Sequence, residues 1–223
     1  MYIFFLMESP LQDEIEDYSV YDRFFNWTMT YRADSDIYRP YGWLAEKNSG
    51  ELYPPTRISW PPPPPTQVTQ TPRQAHNKTR QVAWLVSNCE THSRREEYVR
   101  IMRQFIKVDV FGGCGELECG KEEDHNTREC NNMLEENYKF YLSFENSLCS
   151  DYVTEKFYRT LSLDIIPVVM GGGDYNNIAP PKSFIDVADF ESPEELAKFL
   201  LKLDKDDQEY LSYFWWKVSV CVT

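Results

Sequence analysis

The feature that most constrains the fold is a regular alternation, from Arg80 onward, of short apolar runs with stretches of helical period. The apolar runs have strand length and are bounded by polar or glycine-rich turns. Alternation of this kind predicts βαβ units, and therefore a parallel sheet flanked by helices, the α/β class. The predicted strands are residues 81–87, 106–111, 138–144, 165–170 and 183–190. The predicted helices are residues 92–105, residues 151–163 and one that starts at Pro193 behind the capping residue Ser192.

Parallel sheets bind ligands at the carboxyl ends of their strands, in the loops that lead into helices. We therefore expect the chemistry in residues 88–95, 145–156 and 171–175. The second segment opens a helix near Asp151, and the free N–H groups and dipole of a helix N-terminus suit phosphate. Lys156 lies one turn into that helix, where it adds a full positive charge. From these residues alone, a capped helix with a solvated Glu155 and Lys156 explains the pattern better than a phosphate site does.

The first part of the chain is irregular and rich in Tyr, Trp, Pro, Asp and Ser. Trp60 is followed by five prolines, which predict an extended polyproline connector between two units. We place the domain boundary after this connector, giving units of residues 1–75 and 76–223. The opening apolar run, residues 2–7, predicts a short buried strand. It is far shorter than the ~20 residues of a membrane-spanning helix and lacks the features of a signal peptide.

The formal net charge of −13, from 36 acidic against 23 basic residues, excludes whole classes of partner. Nucleic acids and anionic membranes are bound by surfaces with a cationic excess, which this composition does not provide. An anionic small molecule can still bind where a few basic side chains are placed locally.

Three of the six cysteines, Cys114, Cys119 and Cys130, crowd into one polar stretch together with His125. These four side chains are enough to hold zinc, but the stretch lacks the C-x₂-C spacing of structural zinc sites. The sequence therefore favours a loop closed by a disulfide, which indicates an oxidising lumen. Two glycosylation sequons, at Asn26 and Asn77, indicate the same compartment.

Several long motifs carry a family resemblance. The segments YKFYLSFENS (residues 138–147) and DYVTEKF (residues 151–157) resemble the signature of the animal α1,3-fucosyltransferases. The similarity extends over nearly the whole chain, in residues 25–32, 34–37, 40–42, 166–169, 179–181, 183–187 and 213–217.

The resemblance implies a GT-B fold, in which two Rossmann-like domains face each other across a cleft. Here that means a donor domain with a parallel sheet and a truncated acceptor domain, with both ends of the chain clipped relative to the family. It implies transfer of L-fucose from GDP-β-L-fucose to the 3-hydroxyl of N-acetylglucosamine in a glycoprotein glycan, with inversion. It also implies a full-length form in the Golgi lumen, held as a single-pass type II membrane protein by an anchor that this sequence lacks.

The resemblance assigns roles to individual residues. Glu8 matches the family's general base, which takes the proton of the acceptor hydroxyl as that oxygen attacks. Four residues match positions that contact GDP-fucose: Asn146, Tyr152, Glu155 and Lys156. Arg95 matches a phosphate-binding arginine, although the adjacent Arg94 leaves the register open by one residue. We expect no essential divalent metal, because the D-x-D spacing of Asp34 and Asp36 lies in the upstream segment, away from the phosphate partners.

One alternative function is a catalytically inactive chain that keeps a GDP-binding fold. Another, a transferase for a different nucleotide sugar, is disfavoured by the length of the matching motifs. The sequence does not distinguish an acceptor in the N-glycan core from one in an antenna.

Overall fold

The computed structural model describes residues 1–12, 15, 17–53, 60–64, 78–119 and 128–223. The first part forms a three-stranded parallel sheet of β1 (Ile3–Leu6), β2 (Trp27–Thr30) and β3 (Ile37–Tyr38), in that order. A 3₁₀ helix (Tyr18–Tyr21) lies between the first two strands. The expectation that the opening strand is buried is wrong. β1 is an edge strand whose alternate side chains face outward, so that Phe5 is 53% exposed.

The second part contains the predicted parallel, helix-flanked sheet, which confirms the α/β class. Its five strands all pair in parallel and follow the order β6-β5-β7-β8-β9. They are β5 (Arg80–Leu85), β6 (Val108–Phe111), β7 (Tyr138–Phe144), β8 (Ile166–Met170) and β9 (Ile185–Asp186). β9 is shorter than predicted because the Asp186 carboxylate accepts the Ala188 N–H at 2.9 Å and starts a 3₁₀ turn, Val187–Asp189.

Helices connect these strands and cover both faces of the sheet. They are α1 (Arg95–Met102), α2 (Arg128–Asn137), α3 (Glu155–Ser162), α4 (Tyr175–Ile178), α5 (Pro193–Asp204) and α6 (Asp207–Leu211), with a 3₁₀ helix at Ser212–Val218. The predicted start of α5 is confirmed: the Ser192 hydroxyl accepts the Glu195 N–H at 3.2 Å. The sequence analysis did not predict α2, having treated its first residues as part of a cysteine loop.

The helix predicted to open near Asp151 begins four residues later, at Glu155. Asp151 has φ 63°, in the left-handed region that interrupts a helix. Thr154 instead provides the N-cap, with an extended backbone and a side chain that accepts the Lys156 N–H. Lys156 is therefore the second residue of α3, closer to the free N–H groups than the sequence suggested. α1 is shortened in the same way, because Arg94 has φ 55°.

Each face of the large sheet has its own core. One is formed by β5, β7 and β8 with α1 and α5, for example Val82, Phe140 and Leu200. The opposite face is covered by α3 and α2, with Phe157 and Leu134 buried against the strands. Because both faces of the sheet are packed, the strand ends that carry the loops at the carboxyl edge are held rigidly.

A short antiparallel ribbon joins the two parts of the chain. β4 (Leu44–Glu46) pairs with β10 (Val220–Val222), so the final strand returns to the first unit. Trp43 and Thr223 extend the ribbon by exchanging backbone hydrogen bonds of 3.0 and 2.9 Å. The predicted domain boundary after residue 75 lies outside the described residues and stays a prediction.

The cysteines form the predicted disulfide-closed loop. Cys119 is bonded to Cys130, across a sequence separation of 11. Cys114 is bonded to Cys89, a partner outside the predicted stretch, with a separation of 25. The zinc alternative is therefore wrong for these three thiols, and His125 lies outside the described residues. Within the described ranges, no helix is long and apolar enough to cross a bilayer.

Candidate active site

The three loops predicted to carry chemistry lie together at the carboxyl edge of the large sheet. They follow β5, β7 and β8. Ser93, after β5, donates its N–H to the Asn146 carbonyl at 3.1 Å and its hydroxyl to the Glu145 carbonyl at 2.7 Å. Ser150 forms a bridge with Gly172, after β8. These contacts make the three loops one continuous wall.

The segment that contains Glu8 lies against this wall. Tyr152 donates its hydroxyl to Glu8 Oε2 at 2.7 Å, and Ser9 donates its hydroxyl to Ser147 Oγ at 2.8 Å. Tyr41 donates a third hydrogen bond, to the Met7 carbonyl. The three residues that follow β1, residues 7–9, are thus each bound by a side chain, and two of these side chains, Tyr152 and Ser147, belong to the loop after β7. The Glu8 side chain remains exposed, open to a ligand.

Tyr152 is the residue that connects the two parts of the site. It is 1% exposed, and its ring makes edge contacts with Tyr31 and Tyr41 at centroid distances of 5.0 and 6.3 Å. Burial raises the pKa of Tyr152, and the bonded and negatively charged Glu8 raises it further. The phenol therefore stays protonated and keeps donating to the carboxylate over the physiological pH range.

Glu145 is a buried carboxylate that the sequence analysis missed. It is 0% exposed, and its Oε1 accepts the Thr154 N–H at 2.8 Å. The Thr154 hydroxyl lies 3.0 Å from Oε1 and 2.9 Å from Oε2. Lys156 Nζ lies 3.3 Å from Glu145 Oε2 and donates to Thr154 Oγ1 at 2.9 Å. The only sequence signal for Glu145 was its position in a polar segment that follows a predicted strand.

Lys156 is held between two carboxylates, because its Nζ also lies 3.3 Å from Glu155 Oε1. Glu155 and Lys156 are adjacent on the helix, yet the lysine side chain is long enough to fold back onto its neighbour. Burial lowers the pKa of Lys156, yet the charges of Glu145 and Glu155 outweigh it and leave the pKa raised. The amine is therefore a permanent cation at the N-terminus of α3.

Of the two candidate arginines, Arg95 lies at the sheet edge and Arg94 does not. Arg95 is 4% exposed, and its guanidinium donates to the backbone carbonyls of Phe144, at 2.6 Å, and Asn88, at 3.2 Å. Arg94 is exposed and pairs with Glu97 on its own helix. Burial lowers the pKa of Arg95, opposed by the charges of Glu145 and Glu96. A direct bond from Arg95 to phosphate stays a prediction.

Asn146 presents an unused acceptor. Its Oδ1 is buried and accepts no hydrogen bond from the part of the chain that the structure describes. A buried carbonyl oxygen without a donor is energetically unfavourable. An N–H or O–H group of a ligand would relieve that cost.

The glycines after β8 serve close packing. A Cβ at Gly172 would collide with the Cys149 carbonyl, and one at Gly173 with Val153. The loop after β8 can therefore lie directly on the loop after β7. This contact accounts for Gly172 and Gly173 in the loop after β8.

The upstream acidic pair is engaged elsewhere. Asp34 forms a salt bridge with Arg32 at 2.6 Å, whereas Asp36 Oδ2 accepts from the N–H and hydroxyl of Thr28 at 2.8 and 2.9 Å. No group of three or more His, Cys, Asp or Glu suited to a metal occurs among the described residues.

The two predicted glycosylation sites differ in what the structure describes. The Asn26 side chain is exposed and its Oδ1 accepts the Tyr2 N–H at 2.9 Å. Asn77 lies outside the described residues. Modification of either residue stays a prediction.

Comparisons with known proteins point to one enzyme family. A family model described as glycosyltransferase family 10 (fucosyltransferase), C-terminal part, matches residues 75–223, and a fucosyltransferase N-terminal model matches residues 1–42. The chain is 41% identical to α-(1,3)-fucosyltransferase C of Drosophila melanogaster, over 97% of this chain and 50% of that protein. It is 39% identical to human 3-galactosyl-N-acetylglucosaminide 4-α-L-fucosyltransferase FUT3, over 98% of this chain and 54% of that protein.

The chain thus spans about half the length of these curated relatives. A crystal structure of an α1,3-fucosyltransferase superposes with a TM-score of 0.50 and 26% identity, covering 62% of this chain and 38% of that one. The two family models together cover all the residues that form the site. The chain therefore belongs to glycosyltransferase family 10, the fucosyltransferases.

Proposed function

We propose that this chain carries the donor site and the general base of an inverting α1,3-fucosyltransferase that uses GDP-β-L-fucose. The observation that carries the proposal is the 2.7 Å hydrogen bond from Tyr152 to Glu8. It joins the expected base to the expected donor loop across 144 residues of sequence. A surface glutamate without a role in the site would not be expected to form this hydrogen bond with the donor loop.

In the proposed reaction, Glu8 accepts the proton of the acceptor's 3-hydroxyl. The hydroxyl oxygen forms the new bond to the anomeric carbon of fucose while the bond from that carbon to the GDP oxygen breaks on the opposite face. GDP leaves with the electron pair of that bond. Tyr152 holds Glu8 Oε2, which leaves Oε1 as the proton acceptor. The exposure of Glu8 supports this role, because a glycan must reach it.

On the donor side, we propose that the α3 N-terminus, Lys156 and Arg95 offset the charge that develops on the diphosphate. Asn146 Oδ1, which accepts no hydrogen bond from the described residues, suits an N–H or O–H group of the nucleotide sugar. Glu155, half exposed beside Lys156, suits the hydroxyl groups of a sugar. Tyr152, between these groups and Glu8, completes the donor contacts.

We propose that this transfer needs no divalent metal. The carboxylates of Asp34 and Asp36 are already bound to Arg32 and Thr28, which supports the proposal. Complete loss of transfer after exhaustive chelation, restored by added metal, would contradict it.

We also propose that the full-length protein resides in the Golgi lumen as a single-pass type II membrane protein. The two disulfides support an oxidising compartment. Detection of the native full-length protein in a cytosolic fraction, with these cysteines reduced, would argue against it.

The acceptor position is tested by product analysis. The Drosophila relative is named for transfer to a 3-hydroxyl and the human relative for transfer to a 4-hydroxyl. Incubation with GDP-fucose and a glycan containing N-acetylglucosamine, followed by linkage analysis, should give the α1,3 product. An exclusively α1,4 product would refute the stated linkage while keeping the fucosyltransferase assignment.

A second candidate is a chain that binds GDP without turnover. It is favoured by the apolar side chains that the first sheet exposes, Phe5 in β1, Trp27 in β2 and Ile37 in β3, in the same unit as Glu8. Calorimetry with GDP together with a GDP-fucose hydrolysis assay separates the two functions. Binding without either hydrolysis or transfer would support the inactive form.

A further inference from the structure

The Glu145 carboxylate occupies an unusual position for a charged group. It has no solvent exposure, and its two oxygens are bound by one residue, Thr154, and by the Lys156 amine. Burial raises the pKa of Glu145, against which the Lys156 charge and the Thr154 hydrogen bonds act. A buried charge is retained in a fold only where it is paired and hydrogen-bonded. Here both partners belong to the first residues of α3 and its cap.

We propose that Glu145 is a positioning residue that fixes the Lys156 amine at the N-terminus of α3, where the diphosphate of the donor binds. The inference rests on the proposed function and deepens it. Glu145 acts in two ways: Oε2 contacts the amine directly, and the carboxylate orients the Thr154 hydroxyl, whose oxygen accepts from the same amine. A four-carbon lysine stem is flexible, so fixing its end lowers the entropy lost when phosphate binds.

The isosteric change Glu145→Gln separates this role from simple packing. The Thr154 N–H requires an acceptor at the Oε1 position, so the amide nitrogen must occupy the Oε2 position. There its N–H groups would face the Lys156 ammonium, donor against donor, and displace it. The remaining carboxylate, Glu155, is half exposed and would draw the amine outward.

Two effects of this substitution oppose each other. Loss of a negative charge near the site favours an anion, whereas displacement of the amine removes the direct contact. Glu155 still neutralises the lysine after the change, so the gain in positive potential is partial. We expect displacement to dominate and GDP affinity to fall by about tenfold.

The experiment is a double-mutant cycle on GDP binding, measured by calorimetry on the full chain. Glu145→Gln is introduced into the unsubstituted chain and into Lys156→Met. We expect Glu145→Gln to lower GDP affinity about tenfold in the unsubstituted chain and less than twofold in the Lys156→Met chain. Equal losses in both backgrounds would mean that Glu145 supports the fold rather than Lys156. No loss, or tighter binding, in the first background would also overturn the inference.

A matched control addresses stability. Thr160→Val removes a buried hydroxyl from the same helix. This hydroxyl donates to the Lys156 backbone carbonyl, away from the Lys156 amine. It should lower the thermal midpoint and leave GDP affinity within twofold. Should the Glu145→Gln chain not fold, Thr154→Val tests the same link, again with and without Lys156→Met. A chain that folds but binds no GDP refutes the proposed function and this inference together, whereas GDP binding unaffected by Glu145→Gln refutes the inference alone.

Discussion

Replacing Tyr152 by phenylalanine removes one hydroxyl from the contact between the two parts of the site. The ring stays packed between Tyr31 and Tyr41, so the change isolates the hydrogen bond to Glu8. A hydrogen bond to a charged group contributes roughly 1.5–3 kcal/mol to stability. Because Glu8 is exposed and can be solvated instead, we expect the lower end, about 1.5 kcal/mol.

The assay is urea denaturation of four proteins: the unsubstituted chain, Tyr152→Phe, Glu8→Ala and the double variant. If the two side chains act through their mutual bond, the losses will not add. The double variant should be more stable than the sum of the single losses predicts, by about 1–1.5 kcal/mol. Losses that add to within about 0.5 kcal/mol would show that the two side chains act independently and would refute the hydrogen bond between Tyr152 and Glu8.

Three further predictions follow from the same structure. In a full-length context, Glu8→Gln should lower kcat by ~10²–10⁴ and leave GDP affinity nearly unchanged, whereas Lys156→Ala should lower kcat and also weaken GDP binding. Kinetics and calorimetry measure the two effects. Loss of GDP binding in Glu8→Gln, with unchanged GDP binding in Lys156→Ala, would mean that the two roles are exchanged. Replacing Cys89 and Cys114 by serine opens a loop with a separation of 25 residues and should cost about 3.5 kcal/mol of unfolding free energy, measured in urea; an unchanged midpoint would contradict this. Burial lowers the pKa of Lys78 from 10.5 to about 7, so above pH 7 the unfolded chain holds a proton that the folded chain lacks, and stability should rise with pH. Thermal midpoints between pH 7 and 9 should rise more steeply for the unsubstituted chain than for Lys78→Met, and parallel slopes would refute the shift.

Local signals in the sequence were sufficient for much of the large sheet. β7 has the predicted bounds because seven consecutive residues are buried and the following loop is strongly polar. The start of α5 was predicted because Ser192, Pro193 and Glu195 together form a complete N-capping signal within four residues. In both cases the determining contacts lie within a few residues of sequence.

The features that the sequence did not reveal depend on contacts between distant residues. The late start of α3 depends on the left-handed backbone of Asp151 and on the hydrogen bond from Thr154 to Glu145, which lies nine residues earlier in the loop after β7. The exposure of β1 depends on its edge position in the first sheet rather than on its apolar composition. The meeting of Tyr152 with Glu8 was accessible only through family resemblance, which named both residues without stating their contact.

The ribbon of β4 and β10 leads us to expect that the two parts of the chain stay associated without their covalent connection. Backbone pairing at Leu44–Glu46, the Trp43–Thr223 exchange and the Ser9–Ser147 hydrogen bond all join the first part to the second without passing through residues 65–77. A protease site engineered into residues 65–77 should therefore yield two fragments that migrate together on a sizing column. The protein could be produced as a split pair, in which recovery of GDP binding reports reassembly.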